Sequence, residues 1–126
     1  MTLVLDSGGV SLLAASTADT ARFRLRFGWP ALVPSVVLAE SLTGDHRRDH
    51  ATNGFLQSCS VVDVDEHDAR EAARLRTLTG RAGTITAVDA IVAALAARHR
   101  EPVVLTGDPG DLGALVAHSR VPVTII

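Results

Sequence analysis

Lysine is absent from this chain, and its twelve basic residues are all arginine. Without a primary amine on a side chain, neither a phosphate-binding P-loop nor a Schiff-base mechanism can be built. Cysteine is almost absent. Cys59 stands alone, which rules out an internal disulfide and suits a reducing cytoplasm. Lying between Ser58 and Ser60 near an expected strand start, it reads as a small core residue rather than a thiol nucleophile. Aromatic residues are scarce, three Phe and one Trp, so the core has to come from Val, Leu, Ile and Ala. No apolar run approaches the roughly 20 residues of a membrane span. The N-terminus enters a strand-like run with no basic segment before it, so no secretory leader is expected.

What is present suits one compact domain, residues 1–126. A chain of 126 residues with 47% apolar content furnishes one sizeable core. The formal charge of −2 means that the molecule as a whole does not attract nucleic acid. Arginine's fork nonetheless matches phosphate oxygens two at a time, although an arginine bias also follows from genome composition.

Apolar runs alternate with helical patterns along the chain. Leu3–Leu5 is strand-like, and Gly8-Gly9 leads into a short helix through Leu12, Leu13 and Ala14. The pattern predicts a helix over Ala18 to Phe27, ended by Gly28 and Pro30, and a strand over Ala31 to Val33. Pro34-Ser35 then opens a helix through Val36, Val37, Leu38 and Leu42. A polar link over Thr43 to Asp49 precedes a helix carrying Phe55 and Leu56. A third strand is predicted over Ser60 to Val64, and helices over Glu66 to Thr79 and Thr86 to Arg100. A fourth strand over Val103 to Leu105, a helix over Asp111 to His118 and a fifth strand over Val121 to Ile126 complete the chain. Strands separated by helices imply crossovers and a parallel sheet covered on both faces.

Against that pattern, four acids far apart in sequence fall at strand or helix edges. Asp6 ends Leu3-Val4-Leu5. Glu40 lies in the helix after Leu32-Val33. Asp89 opens the alanine-rich helix, and Asp108 follows Val103-Val104-Leu105 and Thr106-Gly107. The carboxyl ends of parallel strands share one rim, where ligands bind. Carboxylates gathered there repel one another unless a cation sits between them, and hard oxygen ligands select Mg²⁺ or Mn²⁺. The joint pattern points to metal-dependent phosphodiester chemistry.

Each acid also has a plain structural reading. Asp6 and Asp111 suit helix N-caps. Asp89 lies three residues after Thr86, as in a capping box, and Asp108 precedes the turn sequence Pro109-Gly110. Glu40 is harder to explain this way. It falls beyond the first turn among apolar Val37, Leu38 and Ala39, where an unpaired buried charge is expensive.

The sequence Leu-Val-Leu-Asp6-Ser7, then Val33-Pro34-Ser35 with Glu40, then Ala87-Val88-Asp89-Ala90-Ile91-Val92-Ala93-Ala94, then Leu105-Thr106-Gly107-Asp108, resembles a PIN domain over essentially the whole chain. It is most similar to VapC-type toxins of bacterial toxin–antitoxin pairs. The resemblance implies a three-layer α/β/α fold with a five-stranded parallel sheet. It implies a Mg²⁺-dependent endoribonuclease in which Mn²⁺ can substitute, inhibited by an antitoxin, dimeric and cytoplasmic. Its acidic metal site falls on Asp6, Glu40, Asp89 and Asp108, with Asp111 as a weaker additional acid and Thr106 at the hydroxyl position. Asp6, Asp89 and Asp108 are then the preferred direct ligands, with Glu40 binding directly, through water, or orienting the nucleophile. Ser7 is a candidate substrate contact.

An acidic pocket repels RNA, so basic groups elsewhere have to contact the backbone. Arg47 and Arg48, in the polar segment after Glu40, are the candidates. His46 and His50, four apart, form only a weak zinc pair. The apolar helices Ser11–Ala15 and Ala18–Phe27, with Trp29 near their end, offer surface for an antitoxin or a second copy. Two other classes compete with the nuclease: a catalytically silent interaction module, and a receiver-like phosphoacceptor, which the missing late lysine disfavours.

Overall fold

A computed structural model describes Met1–Ile126 in full. Its centre is β1 (Thr2–Leu5), whose Leu3, Val4 and Leu5 are wholly buried. β1 lies between β2 (Leu32–Pro34) and β4 (Pro102–Leu105), with β3 (Ser60–Val62) and β5 (Thr124–Ile125) at the edges. The order is β3-β2-β1-β4-β5, and every pairing is parallel. Unbroken apolar runs such as Leu3–Leu5 are what a strand buried on both faces requires.

The helices fall into two groups. α1 (Ser7–Ala14), α2 (Thr17–Arg26), α3 (Leu38–Ser41, entered through a 3₁₀ turn at Ser35–Val37) and α4 (His46–Leu56) form the first. α1 packs against α2, α3 and α4. α5 (Glu66–Leu78), α6 (Ala87–Ala96) and α7 (Pro109–Val116) pack against one another and form the second. Right-handed crossovers explain the division. Connections stepping from β1 towards β3 and those stepping back through β4 to β5 must cover opposite faces. α6 buries Ala90 and Val92–Ala96, and its small side chains let α5 approach closely. The core is aliphatic, with Phe27 its one buried aromatic residue.

Four boundaries differ from the pattern-based expectation. The link expected over Thr43 to Asp49 is helical from His46, because Asp45 caps α4 by accepting from the N–H groups of Arg47 and Arg48. β5 is only Thr124–Ile125; Pro122 has no N–H to give to a ladder. β3 ends at Val62, before Asp65, which opens α5 with a reciprocal capping box to Asp68. α6 stops at Ala96, short of Glu101 at φ 46 and of Pro102, which disfavours helix before it.

Candidate metal centre

The strand order reverses between β1 and β4, and their carboxyl ends open a crevice there. Leu5 lies opposite Leu105 in register, so Asp6 and Thr106 leave the sheet side by side. Asp6 is buried at 4% exposure and fully engaged. Its Oδ1 accepts from the N–H groups of Gly9, at 2.8 Å, and Gly107, at 3.3 Å, and its Oδ2 accepts from the Thr106 hydroxyl. The Gly9 bond makes Asp6 the N-cap of α1. This close seating needs Gly8 and Gly9: a Cβ on Gly8 would fall 2.5 Å from the Gly107 Cα, and one on Gly9 2.5 Å from the Leu105 carbonyl.

Thr106 continues the relay by accepting from the Asp108 N–H at 2.8 Å. Asp108 caps α7 in turn, its Oδ1 accepting from the Asp111 N–H at 3.1 Å. Of the two expected caps, Asp6 therefore is one, whereas Asp111 sits inside the first turn of α7. Asp89 comes one turn into α6. Thr86 caps that helix through the Asp89 N–H at 3.1 Å, but the Asp89 carboxylate makes no return bond to the Thr86 backbone. It is therefore free to face the crevice.

There Asp89, Asp108 and Asp111 bring carboxylate oxygens within 4.8 Å of one another. Burial pushes the Asp89 carboxyl up to about 6, and the charges of Asp6, Asp108 and Glu40 push the same way, while the Thr86 hydroxyl opposes them. Three acids widely separated in sequence thus act on one carboxyl group. Asp6 and Glu40 lie outside the tight trio but within electrostatic reach of it. Asp111, the weaker candidate, lies inside it, and its Oδ1 also accepts from Arg81 at 2.6 Å.

Glu40 is exposed, which corrects the expectation that it sits beside a buried face. Val37, at the end of the 3₁₀ turn, is buried, while Ala39 and Glu40 in α3 are exposed to solvent. The case for Glu40 rests on convergence, not on desolvation. It lines a polar cleft of about 260 Å³ with Ser7, Ser11, Ser41 and Thr52, and the Ser41 hydroxyl is buried without a partner. The loop behind Glu40 is pinned by Asp49, a buried acid that sequence patterning passed over. Its carboxylate accepts from the Thr43 N–H, the Thr43 hydroxyl and the Gly44 N–H. These bonds, led by that from the Thr43 backbone, lower its pKa against the opposing effect of burial. An acid four residues beyond an Asp N-cap, with Thr-Gly just before that cap, was the available signal.

Arg47 and Arg48 are exposed on the first turn of α4 and form no ion pair. His46 and His50 join no cluster of three potential ligands. Cys59 packs against the core, and burial raises its thiol pKa, as for an inert cysteine. Trp29 is half-buried. It packs on the core, stands edge-on to Phe55, and donates from Nε1 to the Ser58 carbonyl at 2.8 Å. Beside it, Leu13, Ala14, Thr17, Ala21, Arg24 and Phe55 line a groove of about 440 Å³ between α1, α2 and α4.

An all-oxygen donor set at mutually repelling carboxylates fits a hard divalent cation. Sheet order and site together define an α/β protein with an acidic crevice at the carboxyl ends of its strands. A receiver domain has the order 2-1-3-4-5, so the order found here excludes the phosphoacceptor alternative. The PIN domain family model matches residues 10–112, and the chain belongs to that family, whose members are typically nucleases. Among solved structures it is similar to the DNA-bound VapBC complex of Salmonella typhimurium, at 21% identity and TM-score 0.73, covering 100% of this chain and 97% of that one. It is also similar to FitAcB of Neisseria gonorrhoeae, at 20% identity and TM-score 0.67, covering 98% and 96%. VapBC2 of Rickettsia felis, bound to a promoter DNA fragment, matches at 17% identity and TM-score 0.69, covering 100% and 98%. No curated protein matches the sequence.

Proposed function

We propose that this chain is a VapC-type toxin that hydrolyses RNA phosphodiester bonds, with Mg²⁺, or Mn²⁺ in its place, held by Asp89 and Asp108 together with Asp6 and Glu40. The observation that carries the reading is the approach of the Asp89 and Asp108 carboxylates to within 4.8 Å, where burial and three other acids raise the Asp89 carboxyl. An uncompensated anionic cluster of this kind disfavours the protein unless a cation is its normal occupant.

The divalent ion would polarise a phosphoryl oxygen and lower the pKa of a bound water. The chain's own residues do the rest. Without a cation, Asp89 keeps its proton up to about pH 6, well above an ordinary aspartate, and losing it frees both oxygens for the ion. Asp6, fixed by its three donors, presents a carboxylate that cannot swing away. Glu40, at the mouth of the hydroxyl-lined cleft, orients the attacking water and accepts its proton. The P–O3′ bond breaks opposite the incoming oxygen, and the departing 3′ oxygen takes its proton from solvent. Ser7, which lines the cleft, and Thr106, bonded to Asp6, are the proposed hydroxyl contacts to substrate, and the exposed Arg47 and Arg48 at the start of α4 would supply basic charge to its backbone.

The groove between α1, α2 and α4 is the proposed seat of a VapB-type antitoxin, since the similar solved structures are two-protein complexes. Exposed Leu12 and Leu25 extend that apolar surface towards a second copy of the chain. No helix is long and apolar enough to cross a membrane, and we place the activity in the cytoplasm. Cleavage of single-stranded RNA by the purified chain tests the reading. Hydrolysis with Mg²⁺ that stops with a chelator is expected, and cleavage indifferent to divalent ions would refute it.

A further inference from the structure

We propose that Arg81 contacts the RNA backbone beside the candidate metal centre, and that Asp111 holds Arg81 in place instead of serving as a ligand of the ion. The inference rests on the nuclease reading above and deepens it.

Arg81 is the one cation paired with an acid of the crevice. The other side-chain ion pairs join Arg22 to Asp19, Arg70 to Glu66, Arg74 and Arg120 to Glu71, and Arg98 to Asp65 and Asp68, all away from it. The Arg81 backbone is anchored. Its N–H donates to the Thr79 hydroxyl at 3.0 Å, and its carbonyl accepts from the N–H groups of Thr84 and Ile85 at 2.9 Å each. Ile85 is wholly buried, and its own carbonyl accepts from Arg76 Nε at 2.7 Å. The loop between α5 and α6 therefore delivers the side chain from a fixed root. The guanidinium bonds Asp111 through one nitrogen, at 2.6 Å, with its side chain 48% exposed. A guanidinium carries five N–H donors, and the others here bond nothing within the protein.

A tethered arginine with open donors at the lip of an acidic crevice has the form of a phosphate clamp. An RNA strand approaching five carboxylates needs positive charge beside them, and arginine's fork takes two phosphate oxygens at once. Asp111 has its charge already answered. For an ion to use it as well, the Arg81 bond would have to be given up, whereas Asp89 and Asp108 have no such partner. Asp111 is thus a positioning residue, and its membership of the trio follows from its place in the first turn of α7.

The test compares wild type, Arg81→Gln, Arg81→Lys and the charge-neutral pair Arg81→Gln/Asp111→Asn. Mn²⁺ titration without RNA reads the ligand set, and cleavage of a short single-stranded RNA at several salt concentrations reads the backbone contact. In Arg81→Gln, KM should rise about tenfold with kcat little changed, and the salt dependence should lose about one phosphate, a slope change of roughly 0.7. Arg81→Lys should restore the slope but only part of the KM. The double variant should bind Mn²⁺ within about threefold of wild type, because the Arg81 and Asp111 side chains bond only each other, Asp108 being met by the Asp111 backbone N–H, and the net charge is unchanged. An unchanged KM and salt slope in Arg81→Gln, or a Mn²⁺ affinity in the double variant reduced tenfold or more, overturns the inference. A wild type that cleaves no RNA overturns the nuclease reading itself, a distinct result.

Discussion

The Thr106 hydroxyl donates to Asp6 Oδ2 across a hundred residues of sequence, and the same oxygen accepts from the Asp108 N–H. One side chain therefore links the acid at the end of β1 to the acid that caps α7. Together with the Gly9 and Gly107 N–H groups it leaves Asp6 no freedom to rotate. The protein's own hydrogen bonds fix this corner of the crevice.

Thr106→Val removes that donor and acceptor while keeping shape. It orphans the Asp108 N–H and takes one bond from a buried carboxylate, which should cost about 1–3 kcal/mol of stability. Divalent-ion affinity should fall ~10–100-fold, as for other supports of metal ligands. Chemical denaturation and Mn²⁺ titration check both, and Thr106→Ser should retain most of each.

Asp89→Asn and Asp6→Asn should part company in stability. Both should abolish cleavage. In chelator, Asp89→Asn should melt higher than wild type, because it removes a charge that burial and three acids oppose. Asp6→Asn should melt lower, because its amide cannot satisfy the donors that meet the two carboxylate oxygens. Equal melting temperatures would contradict this division of roles.

Asp89 also sets a pH dependence. Its folded pKa of about 6 lies above the ordinary 3.8, so between those values the native state binds a proton that the unfolded chain does not. Without divalent ions, stability should therefore decline as pH rises from about 4 through 6, and the decline should vanish in Asp89→Asn. Thermal melts across that range decide it.

Much of the crevice is legible in the sequence because local and long-range signals coincide at the same residues. Asp6 after Leu3–Leu5 and Asp108 after Val103–Leu105 are at once helix caps and strand-end acids, and parallel pairing of β1 with β4 brings them together. The exposure of Glu40 is not legible, since apolar neighbours at i−1 to i−3 do not reveal which face a four-residue helix turns outward. Arg81 and Asp49 are not legible either. Arg81 acts through one contact to a helix thirty residues away, and Asp49 through bonds to the Thr43-Gly44 loop just before its own helix; hydrophobic periodicity records neither.

Asp49→Ala should loosen the loop behind Glu40 without touching the trio. The Thr43 and Gly44 amides should lose hydrogen-exchange protection, and cleavage should drop about tenfold, the scale of a lost outer support, with Mn²⁺ affinity little changed. Full activity would show that the pinned loop does not position Glu40.

Ala21→Arg places a charged side chain in the groove between α1, α2 and α4, at an exposed helix position that folding tolerates. Antitoxin binding should weaken at least about tenfold, the cost of burying an unpaired charge at an interface, while RNA cleavage by the free chain stays unchanged. Co-purification and cleavage assays read the two effects apart.

Anomalous scattering from a Mn²⁺-soaked crystal tests the central claim most directly. A peak within bonding distance of the Asp89 and Asp108 carboxylates, facing Asp6, is the result expected. A crevice that stays without a peak at saturating Mn²⁺, or a peak held by other residues, would contradict it.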